Sequence, residues 1–208
     1  MSFEKNLENI RTYFDNKIKT HGTTPQGVDW NSVEAHHIRF DQLAKIIETR
    51  EGFSLLDFGS GYGAFADYLL ARGYQFTLYV GFDILDSMVQ KGGELHAGMP
   101  EVTFTTKGDS LPEVDYSIAC GVFNIKLDAT YQEWTDFVVR SLSQMNQISR
   151  KGFSANFLTK YSDLDRMRPD LYYADPCYLF DYCKNHFSKN VALLHDYKLY
   201  DFTILVRK

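Results

Sequence analysis

Residues 55–63 read LLDFGSGYG, in which Asp57 is followed by three glycines at alternating positions. The stretch before them, 53–58, is apolar enough for a buried strand, and residues 64–72 have the pattern of a helix. Glycines between a strand and a helix let the backbone turn tightly and approach a ligand closely. The stretch therefore predicts an α/β fold with a ligand site at its first strand–helix turn.

Strand and helix patterns alternate along the rest of the chain, which predicts a mainly parallel sheet with helices on both faces. Only YKLY, residues 197–200, separates the last two strands, which is too short for a parallel crossover. We therefore expect a doubly wound, mostly parallel seven-stranded sheet with an antiparallel last strand. Strands are predicted at 53–58, 76–82, 102–106, 115–122, 152–158, 191–196 and 201–207, and helices near 64–72, 86–97, 130–148 and 176–187.

The first fifty residues have helical periodicity, interrupted by HGTTPQGVDW at 21–30. We expect an N-terminal helical cap at 1–49 and a ligand-binding domain at 50–208, together one compact unit. Three apolar stripes should face the core: Phe3, Leu7, Ile10, Phe14 and Ile18; Phe40, Leu43, Ile46 and Ile47; and Trp134, Phe137, Val138, Leu142, Met145 and Ile148.

The amino-acid composition limits the kinds of function that this protein can have. The 208 residues carry a formal charge of −5 without a Lys/Arg cluster, which disfavours a nucleic-acid partner. The sequence has neither an apolar run of about 18 residues nor a secretion signal, so we expect a cytoplasmic protein without a membrane span. Cys120, Cys177 and Cys183 lack metal-ligand spacing and are predicted to be buried thiols; no metal site is predicted. The oligomeric state is left open.

Two ligand classes use such a glycine turn. Gly59, Gly61 and Ala64 fit the dinucleotide pattern G-x-G-x-x-[GA], and Asp83 lies 83 − 59 = 24 residues beyond the first glycine. Asp57 argues against a dinucleotide, because its carboxylate would lie near the pyrophosphate at the helix N-terminus. A carboxylate suits a ligand that is cationic there and has no phosphate. S-adenosylmethionine, with its ammonium and sulfonium groups, is such a ligand.

Three segments carry a family resemblance: LLDFGSGYG, VGFDIL at 80–85 and KGDSLPEVDYSIACGVF at 107–123. Together with the strand order they resemble class I S-adenosylmethionine-dependent methyltransferases over roughly residues 50–208. The resemblance implies a Rossmann-like fold, S-adenosyl-L-methionine as cofactor and methyl transfer as the reaction.

The resemblance also implies roles for individual residues. Asp57, Gly59 and Gly61 would contact the methionine moiety, with Ser60 and Tyr62 nearby. Asp83, followed by Ile84, would bind both ribose hydroxyls, and Asp109, beside Ser110, would reach the adenine amino group. Cys120, Gly121, Val122 and Phe123 would run beneath the cofactor. Arg39, in a segment that resembles the cofactor-covering helix of these enzymes, would pair with the methionine carboxylate.

Each charged residue also has a structural interpretation. Asp83 could cap the following helix, although Asp86 or Ser87 is better placed for that. Asp109 could belong to a simple turn, and Arg39 could be a surface residue of an amphipathic helix.

The acceptor site should lie outside the carboxyl ends of the strands. Two segments are expected there: 121–128, with Asn124 and Lys126, and the long 159–176, which could be a lid. Candidate catalytic residues are His37, Asn124, Tyr172 and Tyr173, and Tyr161 and Arg168 could line the pocket. Asp175 before Pro176 is predicted to be a helix N-cap instead.

The acidic charge favours a small-molecule acceptor with an O, N or C nucleophile. Alternatives are a protein or RNA methyltransferase, with the helical cap as a docking surface, and a non-catalytic protein that keeps the fold for binding. The intact set of Gly59, Gly61 and Asp83 argues against the non-catalytic protein.

Overall fold

The computed structural model describes residues 3–22, 24 and 33–208. Most of the predicted interruption at 21–30 and the side chain of Phe3 lie outside the described residues. The elements are α1 (Phe3–His21), α2 (Val33–Leu43), β1 (Glu51–Phe58), α3 (Ala64–Ala71), β2 (Gln75–Phe82), α4 (Asp86–Leu95), β3 (Val102–Thr105), β4 (Val114–Ala119), α5 (Tyr131–Ile148), β5 (Ser149–Thr159), β6 (Tyr173–Ala174), α6 (Pro176–His186), β7 (Asn190–Leu194) and β8 (Asp201–Arg207).

One sheet organises the chain, with strand order β3-β2-β1-β4-β5-β8-β7. The first five strands are parallel, and β8 runs antiparallel to both β5 and β7, which confirms the prediction from the short 197–200 connection. The chain order reverses at β1, which lies between β2 and β4. In open α/β sheets such a switch point is where a ligand crevice forms at the carboxyl ends of the strands.

The structure adds an eighth strand that the sequence did not predict. β6 has two residues and pairs in parallel with the end of β5, at Leu158 and Thr159. Two residues are too few to show an alternating pattern, so periodicity has no means of finding such a strand.

Apolar side chains form a core on each face of the sheet. One core packs α5 and α6 against the sheet, and the other packs α2 and α3. The predicted stripe of Phe40, Leu43, Ile46 and Ile47 is buried, although α2 ends at Leu43 and a short 3₁₀ turn follows. The stripe of α5 is buried or half-buried along its length.

Helix α1 packs across the carboxyl edge of the sheet. Ile10 is buried, and Leu7 and Phe14 are half-buried against the core. The Asn6 side chain donates to the Lys126 carbonyl oxygen at 3.0 Å, and Ser87 donates to Asp15 at 2.6 Å. The helix is therefore tied to the loop after β4 at one end and to α4 near the other.

The prediction that all three cysteines are buried was wrong for one of them. Cys183 is buried and Cys120 is half-buried, but Cys177 is exposed, because it lies in the first turn of α6. Asp175 caps that helix through the amides of Cys177 and Tyr178, as predicted. Among the described residues, no helix is both long and apolar enough to span a membrane.

Candidate active site

A cavity of about 320 Å³ lies at the switch point, between the carboxyl ends of β1, β2 and β4 and the inner face of α1. Its volume is within the range of small-molecule pockets, about 300–1,000 Å³. The residues around it are Leu7, Ile10, Phe14, His36, Phe40, Asp57, Phe58, Gly59, Ser60, Gly61, Tyr62, Ala64, Phe65, Phe82, Asp83, Ile84, Leu85, Met88, Gly108, Asp109, Cys120, Gly121, Val122, Trp134, Phe137, Ser141 and Gln144.

The glycine loop forms the floor of the cavity. Gly59, Gly61 and Gly63 have φ values of 77°, 54° and 93°, the left-handed region that glycine adopts without strain. The amides of Gly59 and Ser60 both donate to the Phe82 carbonyl oxygen, at 2.7 and 2.9 Å. A Cβ on Gly59 would come within 2.4 Å of Val122 Cγ2, so the glycine loop packs directly on the loop after β4.

An aromatic ring supports this loop from below. Cβ atoms on Gly63, Gly81 or Gly92 would each come within 2.6 Å or less of the Phe104 ring. The three glycines come from the loop, β2 and α4, so they form a slot for a side chain of β3. Gly63 therefore also makes room for Phe104, which the local sequence pattern does not predict.

Asp57 is a buried carboxyl group on the cavity wall. It is 3% exposed and accepts a hydrogen bond from the Tyr79 hydroxyl. Burial raises its pKa to about 7; the Tyr79 hydrogen bond opposes the rise, and the charge of Asp83 adds to it. A cation at this site would favour the ionised carboxylate.

Asp83 is the second buried carboxyl group of the cavity. Its two oxygens accept from the Gly61 amide at 2.9 Å and the Leu85 amide at 3.0 Å. Burial raises its pKa to about 6, and the backbone hydrogen bonds limit the rise. Asp83 therefore joins the glycine loop to the start of α4 and also borders the cavity. The N-cap residue of α4 is Leu85, so neither Asp86 nor Ser87 caps this helix.

The remaining predicted cofactor residues divide into two groups. Ile84, Asp109, Cys120, Gly121 and Val122 border the cavity, and Asp109 does so from an exposed turn. Ser110 and Phe123 do not border it. Ser110 is exposed beside Asp109, and Phe123 lies behind the wall, where its carbonyl oxygen accepts from Trp134 Nε1 at 2.8 Å.

Arg39 is committed to another carboxylate. Its Nε donates to Asp201 at the start of β8, and its Nη1 donates to the Ala35 carbonyl oxygen at 3.0 Å. Arg39 is 9% exposed and does not border the cavity. Neither the expected partnership with a methionine carboxylate nor the alternative of a surface arginine describes this placement.

The four candidate catalytic residues all lie away from the cavity. His37 is exposed and its ring lies 5.7 Å from that of Tyr68. Asn124 accepts from the Leu158 amide at 3.2 Å. Tyr172 is buried, with its hydroxyl 2.9 Å from the Thr135 hydroxyl. The Tyr173 hydroxyl accepts a hydrogen bond from the Arg168 amide at 2.9 Å.

The long 159–176 segment likewise does not reach the cavity. The Asp170 carbonyl oxygen accepts the amides of Lys126 and Leu127 at 3.0 Å each, which ties the segment to the loop after β4. The short strand β6 fixes its other end to β5. Of the two segments expected at the acceptor site, 121–128 reaches the cavity through Gly121 and Val122 and 159–176 does not; the element that covers the cavity is α1.

Sequence reasoning missed the walls contributed by α1 and α5, whereas α2 lies in the segment that was expected to cover the cofactor. The apolar periodicity of α1 indicated burial but not what the helix would bury. His36 also lines the cavity; burial lowers its pKa to about 3, with Arg39 and His37 adding to the effect, so its ring is neutral at physiological pH. Phe137, Ser141 and Gln144 follow the same face of α5 as Trp134.

Comparisons with known proteins agree on the class of fold. No protein-family model matches the chain. It is 49% identical over 164 residues to a Mycobacterium tuberculosis protein described as a candidate methyltransferase, covering 79% of this chain and 98% of the relative. The DhpI–SAH complex is 13% identical, with a TM-score of 0.65 and 98% and 97% of the two chains covered. Magnesium protoporphyrin IX methyltransferase of Synechocystis PCC 6803, with bound SAH, is 16% identical, with a TM-score of 0.62 and 85% of each chain covered.

Proposed function

Because the chain belongs to the class I S-adenosyl-L-methionine-dependent methyltransferases, we propose that it transfers the methyl group to a small-molecule acceptor. Its cofactor is S-adenosyl-L-methionine.

The observation that supports the proposal most directly is that α1 covers the cavity; its residues Leu7, Ile10 and Phe14 are called the roof below. Leu7, Ile10 and Phe14 of α1 face the glycine loop from the opposite side, so the reacting groups meet inside the protein. A small molecule fits such an interior, whereas a nucleotide within a folded RNA needs an open, basic groove. Among the described residues, no lysine or arginine borders the cavity.

The residues present fit the cofactor. We assign Asp57 to its ammonium group, since a desolvated carboxylate next to a cation is strongly favoured. Asp83 is assigned to the ribose hydroxyls and Asp109 to the adenine amino group. The N-terminus of α3 replaces Arg39 as the proposed partner of the methionine carboxylate, because a helix N-terminus attracts anions. The amides of Gly59, Ser60, Gly61 and Gly63 are not the donors, since they already donate within the protein.

When bound, S-adenosyl-L-methionine supplies an electrophilic methyl group on a sulfonium sulfur. The chain contributes by positioning: Asp57 and Asp83 hold two ends of the site, while Cys120, Gly121 and Val122 form the surface between them. Alignment of two bound reactants can account for about 7–11 kcal/mol of a reaction barrier. The apolar side chains of α1 help to exclude water, and a neutral His36 places no positive charge beside the sulfonium.

The test is methyl transfer from donor labelled in the methyl group to a cell extract divided by size into small molecules, protein and RNA. We expect label in the small-molecule fraction with wild-type protein and, at a donor concentration below saturation, much less label with Asp83→Ala. Label that enters protein or RNA instead would overturn the assignment of the acceptor while leaving the methyltransferase activity intact.

A further inference from the structure

A buried polar network lies behind the cavity wall and links four elements. It consists of Arg39 on α2, Asp201 on β8 and Asn156 on β5, together with the Gly121 amide after β4. Gly121 donates to Asn156 Oδ1 at 2.7 Å, Asn156 Nδ2 donates to Asp201 Oδ2 at 3.2 Å, and Arg39 Nε donates to the same oxygen. Asn156 and Asp201 are 0% and 1% exposed, so neither can touch a ligand in the cavity.

Stability alone does not explain this network. A buried ion pair gives little net stabilisation compared with apolar side chains of the same size, because both charges lose their hydration. The other oxygen of Asp201 is buried and makes no hydrogen bond to any described residue, which adds a desolvation cost. The network is thus an energetic liability in the middle of a β-sheet.

Both ends of the network reach the cavity wall. At one end, Gly121 is held by its amide in a left-handed conformation, with φ of 73°, and the next residue, Val122, packs against Gly59 of the glycine loop. At the other end, Arg39 lies between His36 and Phe40, and both of these line the cavity.

We propose that Arg39, Asp201 and Asn156 are positioning residues that fix the β4 loop, Cys120–Val122, against α2 and thereby set the shape of the cofactor site. The network acts through Gly121 and Val122 on the glycine loop without contacting the cofactor. This inference rests on the proposed function only in assuming that the cavity binds S-adenosyl-L-methionine; it does not depend on which molecule accepts the methyl group.

The test is calorimetric titration with S-adenosylhomocysteine, which requires no acceptor. Asn156→Leu keeps the side-chain volume but removes both hydrogen bonds, and we expect at least tenfold weaker binding and faster hydrogen exchange of the Gly121 amide. Ser154→Ala is the matched control, because it removes a buried hydrogen bond to Leu43 from the same strand without reaching the cavity wall.

Wild-type affinity in a folded Asn156→Leu protein would overturn the proposal, as would equal losses in Asn156→Leu and Ser154→Ala. If Asn156→Leu does not fold, Asp201→Asn preserves the shape of the site and is expected to weaken binding three- to tenfold; unchanged affinity there also overturns the proposal.

A second titration separates positioning from direct contact. Arg39→Met should weaken S-adenosylhomocysteine and 5′-methylthioadenosine to a similar extent, because both rest on the β4 loop. Loss of affinity for S-adenosylhomocysteine alone would mean that Arg39 binds the carboxylate, which 5′-methylthioadenosine lacks, and would contradict the positioning role.

Discussion

The two halves of the sheet treat buried carboxylates in opposite ways. In the β1–β4 half, Asp57 and Asp83 border a cavity, and burial raises the pKa of both. In the β5–β8 half, Asp201 is equally buried but is paired with Arg39 and Asn156. The comparison distinguishes two carboxylates that can still bind a ligand, Asp57 and Asp83, from one that is already paired with a cation of the protein, Asp201. Substitutions in the first half should therefore weaken binding directly. Substitutions in the second half should lower stability and weaken binding only indirectly, through the loop Cys120–Val122 after β4.

The largest expected effect is on the scaffold side. Arg39→Ala leaves Asp201 buried without its cation, so the free energy of unfolding should fall by about 3–5 kcal/mol. The measurement is chemical denaturation of the ligand-free protein. Arg11→Ala is the control, because Arg11 forms an exposed pair with Glu8 at 3.2 Å, which should contribute less than about 1 kcal/mol. Equal effects of the two substitutions would remove the contrast between the halves.

On the ligand side, Asp83→Ala should weaken S-adenosyl-L-methionine binding by about 1–3 kcal/mol, or roughly 5- to 150-fold, through loss of the ribose hydrogen bonds. Calorimetric titration measures the change. Asp86→Ala, three residues further along and exposed, serves as the control and should bind like wild type. Unchanged affinity in Asp83→Ala would remove this carboxylate from the proposed site.

The pH dependence distinguishes the halves without a substitution. The pKa of Asp57 is about 7 in the folded, ligand-free protein, above the ordinary value of 3.8. The folded state therefore holds this proton more tightly than the unfolded state does, and ligand-free stability should fall as the pH rises from about 4 to about 7. Affinity for the cationic cofactor should change in the opposite direction and increase over pH 5–8, since the ammonium favours ionised Asp57.

Titrations and thermal unfolding at several pH values test both trends. Asp57→Asn should make the stability profile less steep, because the amide does not titrate; the part due to Asp83, whose pKa burial raises to about 6, should remain. A cofactor affinity that is the same at pH 5 and pH 8 would contradict the proposed pairing of Asp57 with the ammonium.

The smallest effect is expected for residues that the structure places outside both groups. His37→Ala and Tyr173→Phe should change cofactor affinity less than twofold, because neither side chain borders the cavity. A tenfold loss of cofactor affinity in either variant would show that these residues reach the cofactor site. It would contradict the division of the molecule into a binding half and a scaffold half.

Features encoded within a short stretch were predictable from the sequence. Asp57 and its glycines follow one strand, Asp83 ends the next, and Asp175–Pro176 starts a helix, so a local pattern suffices for each. The antiparallel end followed from chain length alone, because four residues cannot cross a sheet.

Features that depend on distant pairing were not predictable. Arg39 and Asp201 are 162 residues apart, and Asn6 reaches Lys126 across 120 residues. Without the tertiary fold, Arg39 was therefore assigned to the cofactor and α1 was not recognised as the roof. The long 159–176 segment resembled a lid because its length was visible, whereas the hydrogen bonds that fix it to the loop after β4 were not.

The central claim is that the carboxylate at the end of β1 selects a cationic nucleoside that has no phosphate. The most direct test is calorimetric titration of wild-type and Asp57→Asn protein with S-adenosyl-L-methionine and with NAD at pH 8. We predict micromolar binding of S-adenosyl-L-methionine to wild type, at least tenfold weaker binding to Asp57→Asn, and no binding of NAD to wild type. Comparable binding of NAD to the wild-type protein, or full affinity for S-adenosyl-L-methionine in Asp57→Asn, would contradict the claim.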